Sequence, residues 1–303
     1  MMSQVPAISV VMGAFNAQRY LRETLDSLLA QTFTDFELIA VDDGSTDSTF
    51  QILQAYQSRD ARVRPLRIPH GGIVDAANAG IEAARASIIA RADADDIYLP
   101  LRLARQFEFL QNNPQVIAVG CQMQVIEPFG TPLRITNFKL SHDEIDADML
   151  AGNGAALPQP AAMLRKSALL QVGGYRHDYP YSEDVDLFLR LAEVGQLANL
   201  PDVLVKYRLH NGSANWQHWQ KQLENKPLML AETYRRRGQP VPEIPTFTNY
   251  WDREPADRYV NWVWLALKDR NLPAARKHAY SALRLAPFRQ STWRAAFCAM
   301  RGY

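Results

Sequence analysis

Cysteine is scarce: Cys121 and Cys298 are the two in 303 residues, far apart and in apolar surroundings. Two such residues make neither a disulfide framework nor a zinc-ligand pattern, and they fit a reducing compartment. An excess of either charge is also missing, since 33 Lys and Arg stand against 32 Asp and Glu. No overall field draws the chain to nucleic acid or to an anionic membrane, so an anionic ligand has to be held by a local arrangement. Nowhere do 18 apolar residues run together, so no membrane-spanning helix is expected. The opening residues, MMSQVPAISVVMG, lack a basic segment leading into a long apolar stretch. No secretory signal is expected, and the cytoplasm is the expected compartment. What is present is ordinary core material, 47% hydrophobic and 21% charged, enough to bury a core without covalent staples.

Short apolar runs alternate with helical patterns through the first two thirds of the chain. Residues 8–12 (ISVVM) and Phe36–Val41 read as strands, with Leu21, Leu25, Leu28 and Leu29 on one helix face between them. Asp47 or Ser48 suits the cap of a helix carrying Ile52, Leu53 and Tyr56. A strand at 65–68, a helix near 73–85, a strand at Ser87–Arg91, a helix from Pro100 to about Asn112 and a strand at 116–126 follow. Residues 127–159 look irregular apart from a helical stretch near 142–150; a strand near 161–164, a helix near 183–194 and a strand at 203–209 complete this region. The alternation predicts an α/β fold with a mainly parallel sheet flanked by helices, in which ligands bind at the carboxyl ends of the strands. From about 216 the pattern is helix only, broken by PVPEIP at 240–245. The expected division is therefore 1–215 as a catalytic domain and 216–303 as an all-helical C-terminal extension.

Four polar clusters punctuate these elements. ARADADDIYLP places Asp93, Asp95 and Asp96 directly after a strand. Such a set reads either as a polar turn with helix-capping aspartates or as oxygen ligands for Mg²⁺ or Mn²⁺ beside a phosphate. VDDGSTDST sits after another strand, as a turn and helix cap or with Asp43 accepting a hydrogen bond from a base. In SEDVDLFLRL, Asp184 stands one turn before Leu187, Phe188 and Leu191 and faces the apolar side of that helix. A carboxylate leaning into a cleft is what a general base needs, and Asp184 is favoured over Glu183 for it. Glu183 and Asp184 also suit a helix N-terminus, and Asp186 is spaced four from Arg190 as in a surface ion pair. YRLHNGSAN, at 207–215, clusters Arg208, His210 and Ser213 after a strand, either as a polar surface turn or as a flap over a diphosphate or metal.

Taken together, these segments resemble the family-2 glycosyltransferases of the GT-A fold. The resemblance is carried by ISVVMGAFNAQRYLRETLDSLLAQTFTDFELIAVDDGSTDST, GGIVDAANAGIEAARASIIARADADDIYLPLRLARQFEFL, RKSALLQVGGY, SEDVDLFLRL and YRLHNGS, in that order over residues 8 to about 213. It implies an inverting transfer from a nucleotide-diphosphate sugar to a hydroxyl of a glycan or lipid-linked glycan, with Mn²⁺ or Mg²⁺ as cofactor. It further implies that Asp43 meets the nucleobase, with Gly13 and Phe15 beside the donor, and that Asp93 serves ribose or diphosphate. By the same resemblance Asp95 and His210 hold the metal, Asp184 is the base, and Glu183, Asp96 and Arg208 support them. A role in bacterial surface polysaccharide or lipopolysaccharide assembly is an expectation of the same kind. The pattern departs at Ala77, Ser87 and Gln159, where relatives commonly carry Arg or Leu, Gly, and a nearby His.

Two other functions compete. A sugar-nucleotide pyrophosphorylase would need a glycine-rich, basic loop after the first strand, whereas GAFNAQRY has one glycine. A degenerate glycan- or partner-binding module would not need the acid set. In the C-terminal extension, residues 260–287 resemble a single tetratricopeptide-type helix pair, which is expected to pack on the preceding domain because one repeat does not stand alone. A second reading of that region, with Arg284, Arg289, Arg294 and Arg301 among Phe288, Trp293 and Phe297, is peripheral contact with the inner face of a membrane.

Overall fold

A computed structural model of the chain describes residues 5–210, 212–213, 217–244 and 255–302. Asn211, Ala214 and Asn215 of the fourth cluster, and Pro245 of the proline-rich break, lie outside the described residues. The N-terminal half alternates β1 (Ile8–Ala14), α1 (Leu21–Leu29), β2 (Phe36–Asp43), α2 (Thr49–Gln57), β3 (Val63–Ile68), α3 (Ile73–Ala83) and β4 (Ile88–Asp93). Then come β5 (Ile97–Tyr98), α4 (Arg102–Asn112), β6 (Val116–Ile126), β7 (Pro132–Ile135), α5 (His142–Leu150), β8 (Met163–Arg165), α6 (Lys166–Gln171), α7 (Glu183–Leu191) and β9 (Gln196–Arg208). One sheet runs in the order β3-β2-β1-β4-β8-β6-β9-β5, with β7 paired on β6. It is parallel through β3-β2-β1-β4 and mixed beyond.

The period-2 alternation of a strand divides the core in two. Ile8, Val10 and Met12 of β1 face α1, α2 and α4, whereas Val11 faces α3, α5 and α7. Helix α3 approaches the sheet closely at Gly80, where an added Cβ would stand 2.4 Å from Val11 Cγ1. Both faces are thus covered, as a parallel sheet requires.

Besides β5 and α6, for which the sequence suggests no element, two segments differ from the sequence expectation. Residues 132–135, read as irregular, form β7, a four-residue edge strand with one inward side chain, Leu133, too short to show an alternation. Strand β9 begins at Gln196 rather than near 203, because the chain crosses Pro201 without leaving the sheet. Cys121 pairs with Leu200 and Gln122 with Val203, so Pro201 and Asp202 are extruded as an irregularity where no ladder N–H is needed.

The C-terminal helices are α8 (Trp219–Arg236), α9 (Pro255–Lys268), α10 (Leu272–Leu285) and α11 (Gln290–Arg301). Met229 and Leu230 of α8 join the α3-side core, and Arg237 just beyond it pairs with Asp146 at 2.7 Å. Helices α9–α11 share a small core dominated by alanines. Trp262 of α9 packs on Val125 and Leu133, and Asn271 Nδ2 and Lys277 Nζ reach Pro132 O and Thr131 Oγ1, each at 2.8 Å. The helix pair therefore rests on β6 and β7.

Candidate active site

Strand register gathers the sequence-predicted acids. Gly13 at the end of β1 lies between Val41 of β2 and Asp93 of β4, so Asp43 and Asp93 flank the end of the same central strand. After β2 the chain turns at Gly44, with φ +69°, and an added Cβ would meet His70 N at 2.8 Å. This brings Asp43 against the start of α3. Its carboxylate accepts from Gly71 N (2.8 Å) and Gly72 N (3.0 Å), and His70 Nδ1 lies 2.8 Å from Oδ2. Phe15, half exposed, stacks on the His70 ring at 4.3 Å and 16°.

The second group follows β4. Carboxylate oxygens of Asp93, Asp95 and Asp96 can all lie within 4.8 Å of one another. Asp96 is fully buried; its Oδ1 accepts from Arg208 N at 2.8 Å, while Oδ2 has no hydrogen-bond partner. Asp95 Oδ2 is 2.6 Å from His210 Nε2. Arg208, also buried, donates to Asp95 O (2.8 Å), Pro128 O (3.0 Å) and Glu23 Oε2 (2.6 Å). It thereby fixes the acid loop to α1 and to the end of β9. Tyr20 fills the space between, its ring 4.6 Å from the Arg208 guanidinium carbon and 5.0 Å from the His210 ring.

Burial, and next the charge of Asp95, raise the pKa of Asp93 to about 7; the same two causes push Asp96 well above the carboxylate range. Three carboxyls in this relation cannot all ionise comfortably unaided, and a cation among them would reverse that. The oxygen-rich donor set and the orphaned Asp96 oxygen fit a hard divalent ion. The residues present are therefore suited to Mg²⁺ or Mn²⁺.

The third group stands at the start of α7. Asp184 Oδ1 accepts from Val185 N at 2.8 Å, and burial raises its pKa to about 6. Glu183, 4% exposed and with Oε2 unpartnered, is raised by burial and then by the Asp184 charge to about 8. Burial raises both carboxyls and the Asp184 charge raises Glu183 further, so Glu183 is the one that holds its proton more firmly. Asp184 and His210 border a cavity of about 670 Å³ whose wall includes Tyr181, Trp219, Lys226, Arg258 and Trp262. Asp43, Phe15 and Asp93 lie outside that wall, and His210 links it to the acid loop through Asp95.

Arg91 is a residue the sequence reading missed. It is 1% exposed, donates Nη1 to Val11 O at 3.2 Å, and its charge opposes the rise in pKa of Asp93, Glu183 and Asp184 alike. A buried cation under both acid groups holds them in one electrostatic unit. Its signal was legible as an arginine inside the apolar strand IIARAD. His70 was missed as well; PHGG before a helix gave only a turn. A further difference concerns Asp186 and Arg190, expected as a surface pair. Both are buried, 2.7 Å apart, with Arg176 adding a second guanidinium on Asp186 and Glu232 of α8 on Arg176. Helix α8 covers the face that would otherwise be wet.

A model of the family described as "Glycosyl transferase family 2" matches residues 9–173, more than half of the chain. The chain belongs to glycosyl transferase family 2. Among its relatives is the O-antigen biosynthesis glycosyltransferase WbnJ of Escherichia coli, 34% identical over 213 residues, 68% of this chain and 81% of WbnJ. Two solved structures share the glycosyltransferase's fold. S. aureus TarS 1–349 in complex with UDP-GlcNAc has a TM-score of 0.60 at 16% identity over 97% of this chain and 92% of that one. The mannosyltransferase PcManGT from Pyrobaculum calidifontis, in complex with GDP-Man and Mn²⁺, has a TM-score of 0.56 at 19% identity over 98% and 85%. The glycosyltransferase therefore has the GT-A architecture, a mixed α/β sheet with helices on both faces and a helical C-terminal region.

Proposed function

We propose that this glycosyltransferase moves a sugar from a nucleotide-diphosphate donor onto an acceptor hydroxyl with inversion, in assembly of a bacterial surface polysaccharide or lipopolysaccharide. The observation that carries the reading is the placement of Asp184. It stands at the wall of a large cavity, joined electrostatically through buried Arg91 to the acids at the end of β4. Residues 1–215 form the catalytic domain in this reading, and 216–303 the helical region.

Asp43 keeps acceptor capacity for a base N–H after its three contacts, since a carboxylate offers about four lone-pair sites. Phe15, held by His70 and half exposed, offers an apolar face beside the base, and Gly13 lets the donor approach the end of β1. Asp93 serves the ribose or diphosphate. Asp95 and His210, supported by Asp96, would hold Mn²⁺ or Mg²⁺, which as a Lewis acid neutralises charge on the departing diphosphate. Arg208 keeps Asp95 and Asp96 in place from behind. The ionised Asp184 takes the proton of the acceptor hydroxyl as that oxygen bonds to the anomeric carbon. The bond from that carbon to the diphosphate oxygen breaks on the opposite face, so the anomeric configuration inverts. Glu183, whose proton the Asp184 charge holds more firmly, is the weaker candidate for this role. The rings of Tyr181 and Trp219 in the cavity wall suit the apolar faces of sugars, which supports a glycan or lipid-linked glycan as the acceptor. The UDP-GlcNAc and GDP-Man of the two structural neighbours, the Mn²⁺ of one, and the O-antigen role of WbnJ support the reading.

The test is Asp184→Asn. Donor binding, read by calorimetry with UDP- and GDP-sugars, stays at the wild-type level. Release of nucleoside diphosphate in the presence of glycan or lipid-linked acceptors falls by about 10²–10⁴-fold, the usual contribution of a general base. Wild-type turnover by the variant would refute the assignment.

A further inference from the structure

Helix α11 is amphipathic in reverse. Its inward face is Thr292, Ala295, Ala296 and Ala299, packed into the small alanine core, while its large apolar side chains point out. Trp293, Phe297 and Met300 are 56%, 49% and 63% exposed. Their spacing of four and three residues puts them in one stripe on the helix surface. Phe288, 98% exposed, precedes the helix, and Trp293 Nε1 donates to the neighbouring Pro287 O at 2.6 Å. Nothing in the core of the three helices calls for these outward rings. An exposed apolar stripe of this size marks an interaction surface.

The charge beside the stripe indicates what it meets. Arg294 and Arg301 follow it along one edge of α11. The Arg301 guanidinium carbon lies 4.6 Å from the Phe297 ring, and that of Arg294 lies 6.0 Å from Trp264 of α9. Residues 272–303 contain six Lys and Arg and no Asp or Glu, although the whole chain has 33 against 32. The remainder therefore carries 27 basic residues against 32 acidic ones. Lys277 and Arg289 pair with Glu127 and Asp257, and Arg276 donates to Ala299 O and Met300 O, whereas Arg294 and Arg301 are exposed on α11 beside the stripe. A second copy of the chain would bring the same positive face to a two-fold contact and repel it. An anionic bilayer complements both features, taking the rings at headgroup depth and the guanidiniums among the phosphates.

We propose that α11 and the preceding Phe288 are a docking surface for an anionic lipid bilayer, with Phe288, Trp293, Phe297 and Met300 inserting and Arg294 and Arg301 binding headgroup phosphates. This surface is separate from the donor site and does not depend on its assignment. The test is co-sedimentation of the full chain with phosphatidylcholine vesicles, with and without phosphatidylglycerol. Wild-type protein pellets with the anionic vesicles, and added salt weakens the binding. Arg294→Gln/Arg301→Gln lowers partitioning about thirty-fold, at roughly fivefold per arginine near an anionic surface. Trp293→Ser/Phe297→Ser lowers it on anionic vesicles at any salt concentration. Both variants keep the wild-type melting temperature, because the substituted side chains point outward. Failure of the wild type to pellet with anionic vesicles, equal binding to neutral ones, or variants that pellet like wild type would each overturn the proposal. So would a concentration-dependent dimer by light scattering that the Trp293→Ser/Phe297→Ser change abolishes, because the stripe would then be a protein interface.

Discussion

Replacing Glu183 by Gln should change how stability depends on pH, and the sign follows from the direction of its pKa. Burial and the Asp184 charge raise the folded-state value to about 8 from an ordinary 4.5. Below 4.5 both folded and unfolded chains hold the proton, and Glu183 contributes no slope. Between 4.5 and about 8 the unfolded chain ionises while the folded chain does not, so stability falls as pH rises. Above about 8 both are ionised and the slope ends. At about 1.4 kcal/mol per pKa unit, the loss across this window has an upper bound of about 5 kcal/mol. Glutamine has nearly the same shape and no titration. Glu183→Gln therefore lacks this part of the slope, whatever constant cost its buried amide carries. Asp93 and Asp184 are also raised and still titrate in the variant. Urea melts followed by circular dichroism from about pH 5 to about pH 8 give the difference in unfolding free energy. The variant should gain on wild type by about 2–4 kcal/mol over that range. A difference that stays flat would show that Glu183 is not a buried, protonated acid and would remove the reason for excluding it as the base.

Two further outcomes are expected. The kcat/KM of the wild-type glycosyltransferase should rise with pH through about 6 and level off, because Asp184 must be ionised to accept a proton; the residual rate of Asp184→Asn should lack that step. Asp186→Ala should destabilise the fold by about 3–5 kcal/mol in a urea melt, because it strands the guanidiniums of Arg176 and Arg190 without their shared carboxylate. A cost below about 1 kcal/mol would return Asp186 to the ordinary surface pair that its spacing suggested.

The strand-and-helix alternation of the N-terminal half was legible because β1, β2 and β4 are apolar runs ended by Gly, Asp or Ser, and α1 to α4 carry clear apolar faces. Asp43 and the Asp93–Asp96 cluster were legible for the same reason, as each stands at a strand end, whereas Asp184 showed only as a carboxylate at a helix start. Strand β7 was not, since four residues with one inward side chain carry no period. Nor was the early start of β9, where Pro201 reads as a break but sits in a bulge. Contacts between distant segments left no local trace. Asp43 with His70 and the Gly71 and Gly72 amides, Asp95 with His210, and Arg208 with Glu23 all depend on the fold bringing loops together. Arg91 was readable only as an oddity, a cation in a buried strand, and its service to three carboxyls appears once α7 is in place. Asp186 and Arg190 look exposed on α7 alone and are covered by α8, which no periodicity in α7 foretells.

The most direct test of metal-assisted donor binding is the melting temperature of the purified protein with sugar nucleotides, in Mn²⁺, Mg²⁺ or EDTA. A donor at about a hundred times its Kd stabilises the native state by about 2.7 kcal/mol, which for a chain of this size is a rise of roughly 5 °C. One nucleotide family should produce that rise with the metal, lose it in EDTA, and lose it in Asp95→Ala. No rise with any sugar nucleotide, with or without metal, would contradict a donor site at Asp43, Asp93 and Asp95.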